Sequence, residues 1–400
     1  MGLYQEAIPH YKTSLSIFKK NSNNTEEYAS VLNNLAISYY HMGRFAESEK
    51  YYLESLQLNK NIHGARSAEY AKILSNLSSL YKIVGRFKES IELTSESLEI
   101  RKHIHGEHHP IYANSLNNLA SIYSDMGELG KAVELYRQAI EIEKDNNPTE
   151  YAIFLNNLAR AYQSMELYLE SEHTFHKALK VFGEAHGVDH PYYAIFQKNL
   201  GYLYFVKGDY TSTEILWEQV LAVQKKRLGE DNAFYAKAIL NLGLLKNRMG
   251  KYEESKTMIE QGTEKLLKLI DQSYQFMSSR DKKQFWYMVS ESFEQLNYDL
   301  SSSYINGHQQ QMAGLMYDVQ LAIKALILDS SRKIKYIINQ SQDSSIIALY
   351  DTWVAKREQV SKAYSLPASA RLDKGIDLSS LNDTISWLEK QLAILSLIHI

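Results

Sequence analysis

Residues 28–52 read YASVLNNLAISYYHMGRFAESEKYY, and related stretches recur down most of the first 270 residues. The tyrosines that open these stretches are Tyr28, Tyr70, Tyr112, Tyr151, Tyr193 and Tyr235. Their spacings are 42, 42, 39, 42 and 42 residues. A fixed period of this size is typical of stacked supersecondary units, none of which can bury its apolar face alone. The sequence therefore predicts a solenoid.

Each unit contains two helical patterns joined by a turn. In the first unit, Leu32, Leu35, Ala36 and Tyr39 are spaced i, i+3, i+4 and i+7, which places them on one helical face. Gly43 follows where a helix C-terminus needs a positive φ. The second helix presents Phe45, Ser48, Tyr52 and Leu56 at matching spacing. Every unit is thus predicted to be a helical hairpin.

Three positions recur in every unit and define its packing. A small residue follows the repeat leucine, at Ala36, Ser78, Ala120, Ala159, Gly201 and Gly243. A bulkier slot in the second helix holds Tyr52, Thr94, Tyr136, Phe175, Trp217 and Ile259. The turn position is Gly43, Gly85, Gly127, Gly208 and Gly250, with Glu166 replacing glycine once. The small residues are expected to let the two helices approach closely.

This pattern resembles the tetratricopeptide repeat, with its L-G/A-x-x-Y helix, glycine turn and second-helix signature. The NNLA-type helix and the HGEHHP and HGVDHP connectors at 105–110 and 186–191 resemble the kinesin-light-chain-like variety. Armadillo and HEAT repeats have a similar length but lack this small-residue and glycine pattern. The resemblance implies an all-α, right-handed superhelix of about six and a half repeats over residues 1–270.

The remaining residues do not repeat. Residues 271–394 are predicted to form a helical extension, with one helix over 344–364 that Leu366 and Pro367 end. At the other end, residues 2–19 match only the second half of a unit, so we expect the natural protein to start further upstream. The last six residues, LSLIHI at 395–400, are interpreted as translated sequencing adapter, which predicts a longer natural protein.

The stretch ALILDSSRKIKYIINQSQDSSIIALYDTWVAKREQVSKAYSLP, residues 325–367, carries a second resemblance. It is similar to the segment that joins a tetratricopeptide array to a CHAT domain, a caspase-like cysteine peptidase module, in bacterial proteins. The resemblance implies that a peptidase domain would lie downstream. No catalytic residue can be assigned here, because the chain contains no cysteine.

Composition restricts the class of protein. The chain is 23% charged and 44% hydrophobic, with a formal net charge of −3, so no overall charge favours nucleic acid or an anionic membrane. The absence of cysteine excludes disulfides, thiolate metal sites and cysteine nucleophiles. The N-terminus has no signal-peptide pattern. We therefore expect a soluble, cytoplasmic protein that is not an enzyme and has no membrane span.

An asparagine precedes the core leucine in every repeat: Asn34, Asn76, Asn118, Asn157, Asn199 and Asn241. Asparagine is a poor helix former, so its recurrence inside helices needs a reason. In tetratricopeptide arrays this position faces the inner groove, where the amide can bind the backbone of an extended peptide. The alternative is that these amides hydrogen-bond between repeats and hold the stack together. Both interpretations stay open at this stage.

Neighbouring positions extend the predicted groove. They are Ser30, Asn33, Ile37, His41, Lys72, Ser79, Asn114, Asn117, Ser121, Asp125, Arg160, Gln163, Lys198, Tyr202, Lys237 and Arg248. With the asparagines, Asn117, Ser121, Arg160, Lys198 and Lys237 form the candidate binding set. Scattered positive charge suits a peptide or protein partner with some acidic character, whereas a nucleic-acid track would need a basic stripe with interleaved aromatic residues.

No other group of residues predicts chemistry. The histidines His103, His105, His108 and His109 straddle a helix end and a loop, so they are interpreted as connector and cap residues, without a metal or other cofactor. The predicted function is noncatalytic protein recognition in the groove. Two alternatives are the sensor arm of a CHAT-type peptidase and self-association through uncapped solenoid ends.

Overall fold

The computed structural model describes residues 2–21, 25–274 and 344–364, with a few isolated positions between 381 and 391. All regular elements in these ranges are α-helices. They are α1 (Gly2–Asn21), α2 (Glu26–His41), α3 (Phe45–His63), α4 (Ala68–Ile83), α5 (Phe87–His105), α6 (Pro110–Asp125), α7 (Leu129–Glu143), α8 (Pro148–Ser164), α9 (Tyr168–His186), α10 (Pro191–Lys207), α11 (Tyr210–Leu228), α12 (Ala233–Arg248), α13 (Tyr252–Tyr274) and α14 (Ser344–Tyr364). The predicted all-α solenoid is confirmed, and α14 coincides with the helix predicted over 344–364.

The chain divides into two compact units, Met1–Arg227 and Leu228–Ile400. In the first unit, the two helices of a repeat pack together, and each second helix packs against the next first helix. The first helices α2, α4, α6, α8 and α10 also touch in succession. In the second unit, α12 packs against α13. The domain boundaries at 270 and 394 stay predictions, because residues 275–343 and 392–400 lie outside the described residues.

Every first helix from α2 to α12 begins with a side-chain cap. The capping residues are Thr25, Ser67, His109, Asn147, His190 and Asn232, each of which accepts a backbone N–H of the first turn. The helices end in the predicted turns, where Gly43 has a φ of 71°. Glu166 takes the same left-handed conformation with a φ of 61°, and it is the only described residue other than glycine to do so.

In at least three repeats, the residue at the small position lies against the residue in the bulky slot, at Ser78 and Thr94, Gly201 and Trp217, and Gly243 and Ile259. Trp217 is buried beside Gly201, and an added Cβ on that glycine would lie 2.5 Å from the indole Nε1. The indole Nε1 donates to the Lys198 carbonyl at 3.1 Å, which fixes the ring. In the second repeat, the hydroxyls of Ser78 and Thr94 lie 2.5 Å apart. The two residues are therefore matched in size in the Gly201 repeat and in polarity in the Ser78 repeat.

Buried hydroxyls join the two helices in five hairpins, through bonds that the sequence patterns did not indicate. The hydroxyls of Ser48, Ser90, Ser171, Thr213 and Ser255 donate to the carbonyls of Ala36, Ser78, Ala159, Gly201 and Gly243. Each pair is 12 residues apart, so the bond sits at the same place in five repeats. Ala132 occupies this position in the third repeat. These bonds fix the close packing that the small residues permit.

Candidate functional site

An open cleft of about 650 Å³ runs along the first unit. It is formed by the polar faces of α2, α4 and α6 and by the C-terminal ends of α3 and α5. The residues that line it are Glu26, Ala29, Ser30, Asn33, Asn59, Ala68, Glu69, Lys72, Ile73, Ser75, Asn76, Arg101, His105, Ile111, Asn114 and Asn118. Two candidate site residues, Asn76 and Asn118, thus lie in one cleft with the predicted neighbours Ser30, Asn33, Lys72 and Asn114.

Three of the recurring asparagines form hydrogen bonds between repeats. Each donates its Nδ2 to the Oδ1 of an asparagine one repeat earlier: Asn76 to Asn33 at 2.9 Å, Asn157 to Asn117 at 3.1 Å, and Asn199 to Asn156 at 3.0 Å. All three acceptor residues are buried. These amides therefore bind neighbouring repeats together, and each donor residue keeps its own Oδ1 as an acceptor.

Asn118 departs from this pattern. The residue that would accept its amide one repeat earlier is Ser75, whose short side chain bonds to Ser97 at 2.9 Å and to the Ala71 carbonyl at 3.2 Å instead. Asn118 is exposed, and its amide forms no hydrogen bond within the described part of the chain. The whole amide is therefore available to a ligand in the cleft.

The other candidate residues lie outside this cleft. Ser121 is already engaged, because its hydroxyl accepts from the Lys82 ammonium at 2.8 Å. Arg160 and Lys198 are exposed on α8 and α10. Asn34 is half-buried and accepts from Asn33 at 3.5 Å. Asn241 and Lys237 are half-buried on α12, in the second unit.

Arg101 lines the cleft, although no sequence pattern marked it as a candidate site residue. Its Nη1 donates to the Ser115 hydroxyl at 2.7 Å, and it forms no ion pair with any described residue. By contrast, Arg44 pairs with Glu47, and Arg86 pairs with Glu49 at 2.6 Å. Burial lowers the pKa of the Arg101 guanidinium, which nevertheless stays charged at neutral pH. The cleft therefore holds a half-buried, uncompensated cation.

Two of the four predicted connector histidines, His105 and His109, contact each other where α5 connects to α6. His109 caps α6 by accepting the Ile111 N–H at 3.1 Å, and its ring stacks on His105 at 4.6 Å. His190 caps α10 in the same way. Within the described residues, no group of three or more acidic or histidine side chains could hold a metal ion. The helices in those ranges are also too short or too polar to cross a membrane.

Comparison with known proteins defines the family. The tetratricopeptide repeat family model matches residues 1–61, 27–102, 69–145, 150–205 and 194–268. The chain belongs to the tetratricopeptide repeat family. None of the curated proteins compared matched it.

Three solved structures are similar to this chain. BtubC (BKLC) from P. vanneervenii is 22% identical, with 56% of this chain and 90% of that chain covered and a TM-score of 0.47. The apo form of RapI is 18% identical, with coverages of 66% and 91% and a TM-score of 0.51. A Rap protein complexed with competence and sporulation factor is 14% identical, with coverages of 81% and 87% and a TM-score of 0.54. At these identities, the two Rap structures support the fold alone.

Proposed function

We propose that this chain is a noncatalytic, cytoplasmic recognition scaffold that binds an extended peptide or a protein segment along its first helices. The observation that carries the proposal is the open cleft around Asn76 and Asn118, whose walls present amides at repeat spacing. Repeated amides suit a peptide backbone, which offers a donor and an acceptor at every residue. A fold neighbour was solved in complex with competence and sporulation factor, in line with a binding role for this architecture.

Some of the recurring asparagines are better suited to hydrogen bonding between repeats, and others to ligand binding in the groove. Asn157 and Asn199 already donate to a neighbouring repeat, so their amides serve the stack. Asn118 lacks that partner and lines the cleft. We therefore assign ligand binding to Asn118 first and to Asn76 through its remaining acceptor. The polar groups on α8 and α10 would extend the same track within the first unit.

Asn118→Ala is expected to weaken peptide binding about fivefold, the value of one hydrogen bond, without changing the melting temperature. The probe is the set of peptides that a phage library of random dodecapeptides yields against the whole chain, with affinities measured by titration calorimetry. Asn61→Ala, an exposed asparagine on α3 outside the cleft, is the matched control. Equal affinities for the native chain and Asn118→Ala would contradict the groove assignment.

The second candidate function is the sensor arm of a CHAT-type cysteine peptidase. It rests on the resemblance of residues 325–367, within which α14 is the described part. In that case ligand binding to the array would bias a peptidase domain encoded downstream. Sequencing the source DNA beyond codon 394 distinguishes the two: a downstream frame with a His and a Cys supports the sensor arm. Self-association through the ends of the array would instead give a concentration-dependent mass in sedimentation.

A further inference from the structure

One position of the second helix changes its chemistry from repeat to repeat. It lies seven residues after the bulky slot and holds Asn59, Arg101, Glu143, Phe182, Gln224 and Leu266. The neighbouring slots keep their size and polarity much more closely. Two of these residues, Asn59 and Arg101, line the cleft. At this position the first two repeats therefore present different side chains, an amide and a guanidinium, to the cleft.

In the first repeat, the side chain at this position forms its hydrogen bond within its own helix. Asn59 is buried, and its Nδ2 donates to the Ser55 carbonyl at 2.8 Å. Arg101 uses less of its hydrogen-bonding capacity. A guanidinium has five N–H donors, and one hydrogen bond is formed, to Ser115. Ser115 is itself buried, so the arginine head is held against the wall of the cleft. The remaining N–H groups of this planar fork can donate to a second partner in bidentate fashion.

No acidic residue of the cleft compensates Arg101. Glu26 and Glu69 also line the cleft, but both are exposed in the first turns of α2 and α4, where a carboxylate complements the helix dipole. Neither forms an ion pair with Arg101. Lys72, on α4, is a second cation that lines the cleft. The charge at this point of the cleft is complementary to an anion.

Resting on the proposed function, we propose that Arg101 binds the carboxylate of an aspartate or glutamate in the extended partner segment. The carboxylate would accept two N–H bonds from the guanidinium while Asn118 binds the neighbouring backbone. A carboxylate is favoured over a neutral side chain because it fits the planar fork and neutralises a half-buried charge. The occupant is therefore an acidic stretch of a partner protein.

The test is a double-mutant cycle with Arg101→Asn, which places the first repeat's own residue at this position. The probes are the library-selected dodecapeptides, each made with its acidic residue and with the matching amide. We expect an acidic residue common to the selected peptides. The acid-to-amide change should lower the affinity of the native chain about tenfold and that of Arg101→Asn less than twofold. Arg66→Asn, an exposed arginine outside the cleft, should behave as the native chain.

The assignment of Arg101 would be overturned if the acid-to-amide change lowered peptide affinity equally for the native chain and for Arg101→Asn. Selected peptides without a common acidic residue would also overturn it. If those peptides still lose affinity with Asn118→Ala, the proposed function stands while this inference fails. Peptides insensitive to Asn118→Ala, or a library that yields none, would overturn both. If Arg101→Asn does not fold, Arg101→Lys is used in its place. Lysine keeps the positive charge but lacks the planar fork, so this variant should keep part of the preference for the acidic peptide over its amide counterpart.

Discussion

Gly201→Ala is expected to destabilise the chain by about 2 kcal/mol, although alanine is the better helix former. The added methyl would lie 2.5 Å from Nε1 and 2.6 Å from Cδ1 of Trp217. The indole cannot easily move, because it is buried and bonded to the Lys198 carbonyl. Gly201 is therefore required by the size of Trp217. Thermal and urea unfolding of the two proteins measure the difference.

Two further variants isolate this cause. Gly130→Ala, at the start of α7, introduces the same methyl where nothing lies within 4 Å, and it should stabilise the chain by about 0.4–1 kcal/mol. Adding Trp217→Phe to Gly201→Ala recreates the Ala159 and Phe175 pair of the fourth repeat and should recover most of the loss. Loss of stability that the second change does not recover would show that the small position and the bulky slot are not coupled.

Glu143→Leu is expected to raise the free energy of unfolding by about 2 kcal/mol at pH 7. Glu143 is completely buried, and neither of its carboxyl oxygens has a hydrogen-bond partner among the described residues. Leucine has a similar volume and occupies the same repeat position at Leu266. The exposed Glu134 on α7 provides the control variant Glu134→Leu, which should change stability little.

The gain from Glu143→Leu should depend on pH. Burial, and secondarily the Glu150 carboxyl, raises the pKa of Glu143. The folded chain then binds a proton more tightly than the unfolded chain, so Glu143 costs stability as the pH rises above the ordinary carboxyl pKa. The gain should be largest at pH 7 and should shrink toward pH 4. A gain that is constant with pH, or a loss of stability, would contradict this account of Glu143.

The fold could be predicted because the same pattern of apolar residues recurs in six successive repeats. Tyr28, Leu32 and Leu35 return at fixed spacing, and a helical hairpin is the unit that this spacing can bury. The turn position was also predictable, down to Glu166, which keeps the left-handed conformation without a glycine. Family membership confirms the tetratricopeptide repeat that these residues indicated.

The site could be predicted only in part, because pattern alone does not show which polar groups are already satisfied. The sequence predicted Asn76 and Asn118 in a groove but could not tell that Asn157 bonds to Asn117, whereas Asn118 has Ser75 at the corresponding acceptor position. Ser75 in place of asparagine was the available signal. Arg101 was missed because it lies on a second helix, and its only signal is a position whose chemistry changes in every repeat.

Cross-linking of a library-selected peptide tests groove recognition most directly. A peptide that carries benzoylphenylalanine is irradiated on the whole chain, and mass spectrometry locates the attached residues. Groove recognition predicts attachment to α2, α4 and α6 around Asn76 and Asn118. Attachment confined to exposed residues of the second helices, such as Leu53, Glu92 and Glu134, would contradict it.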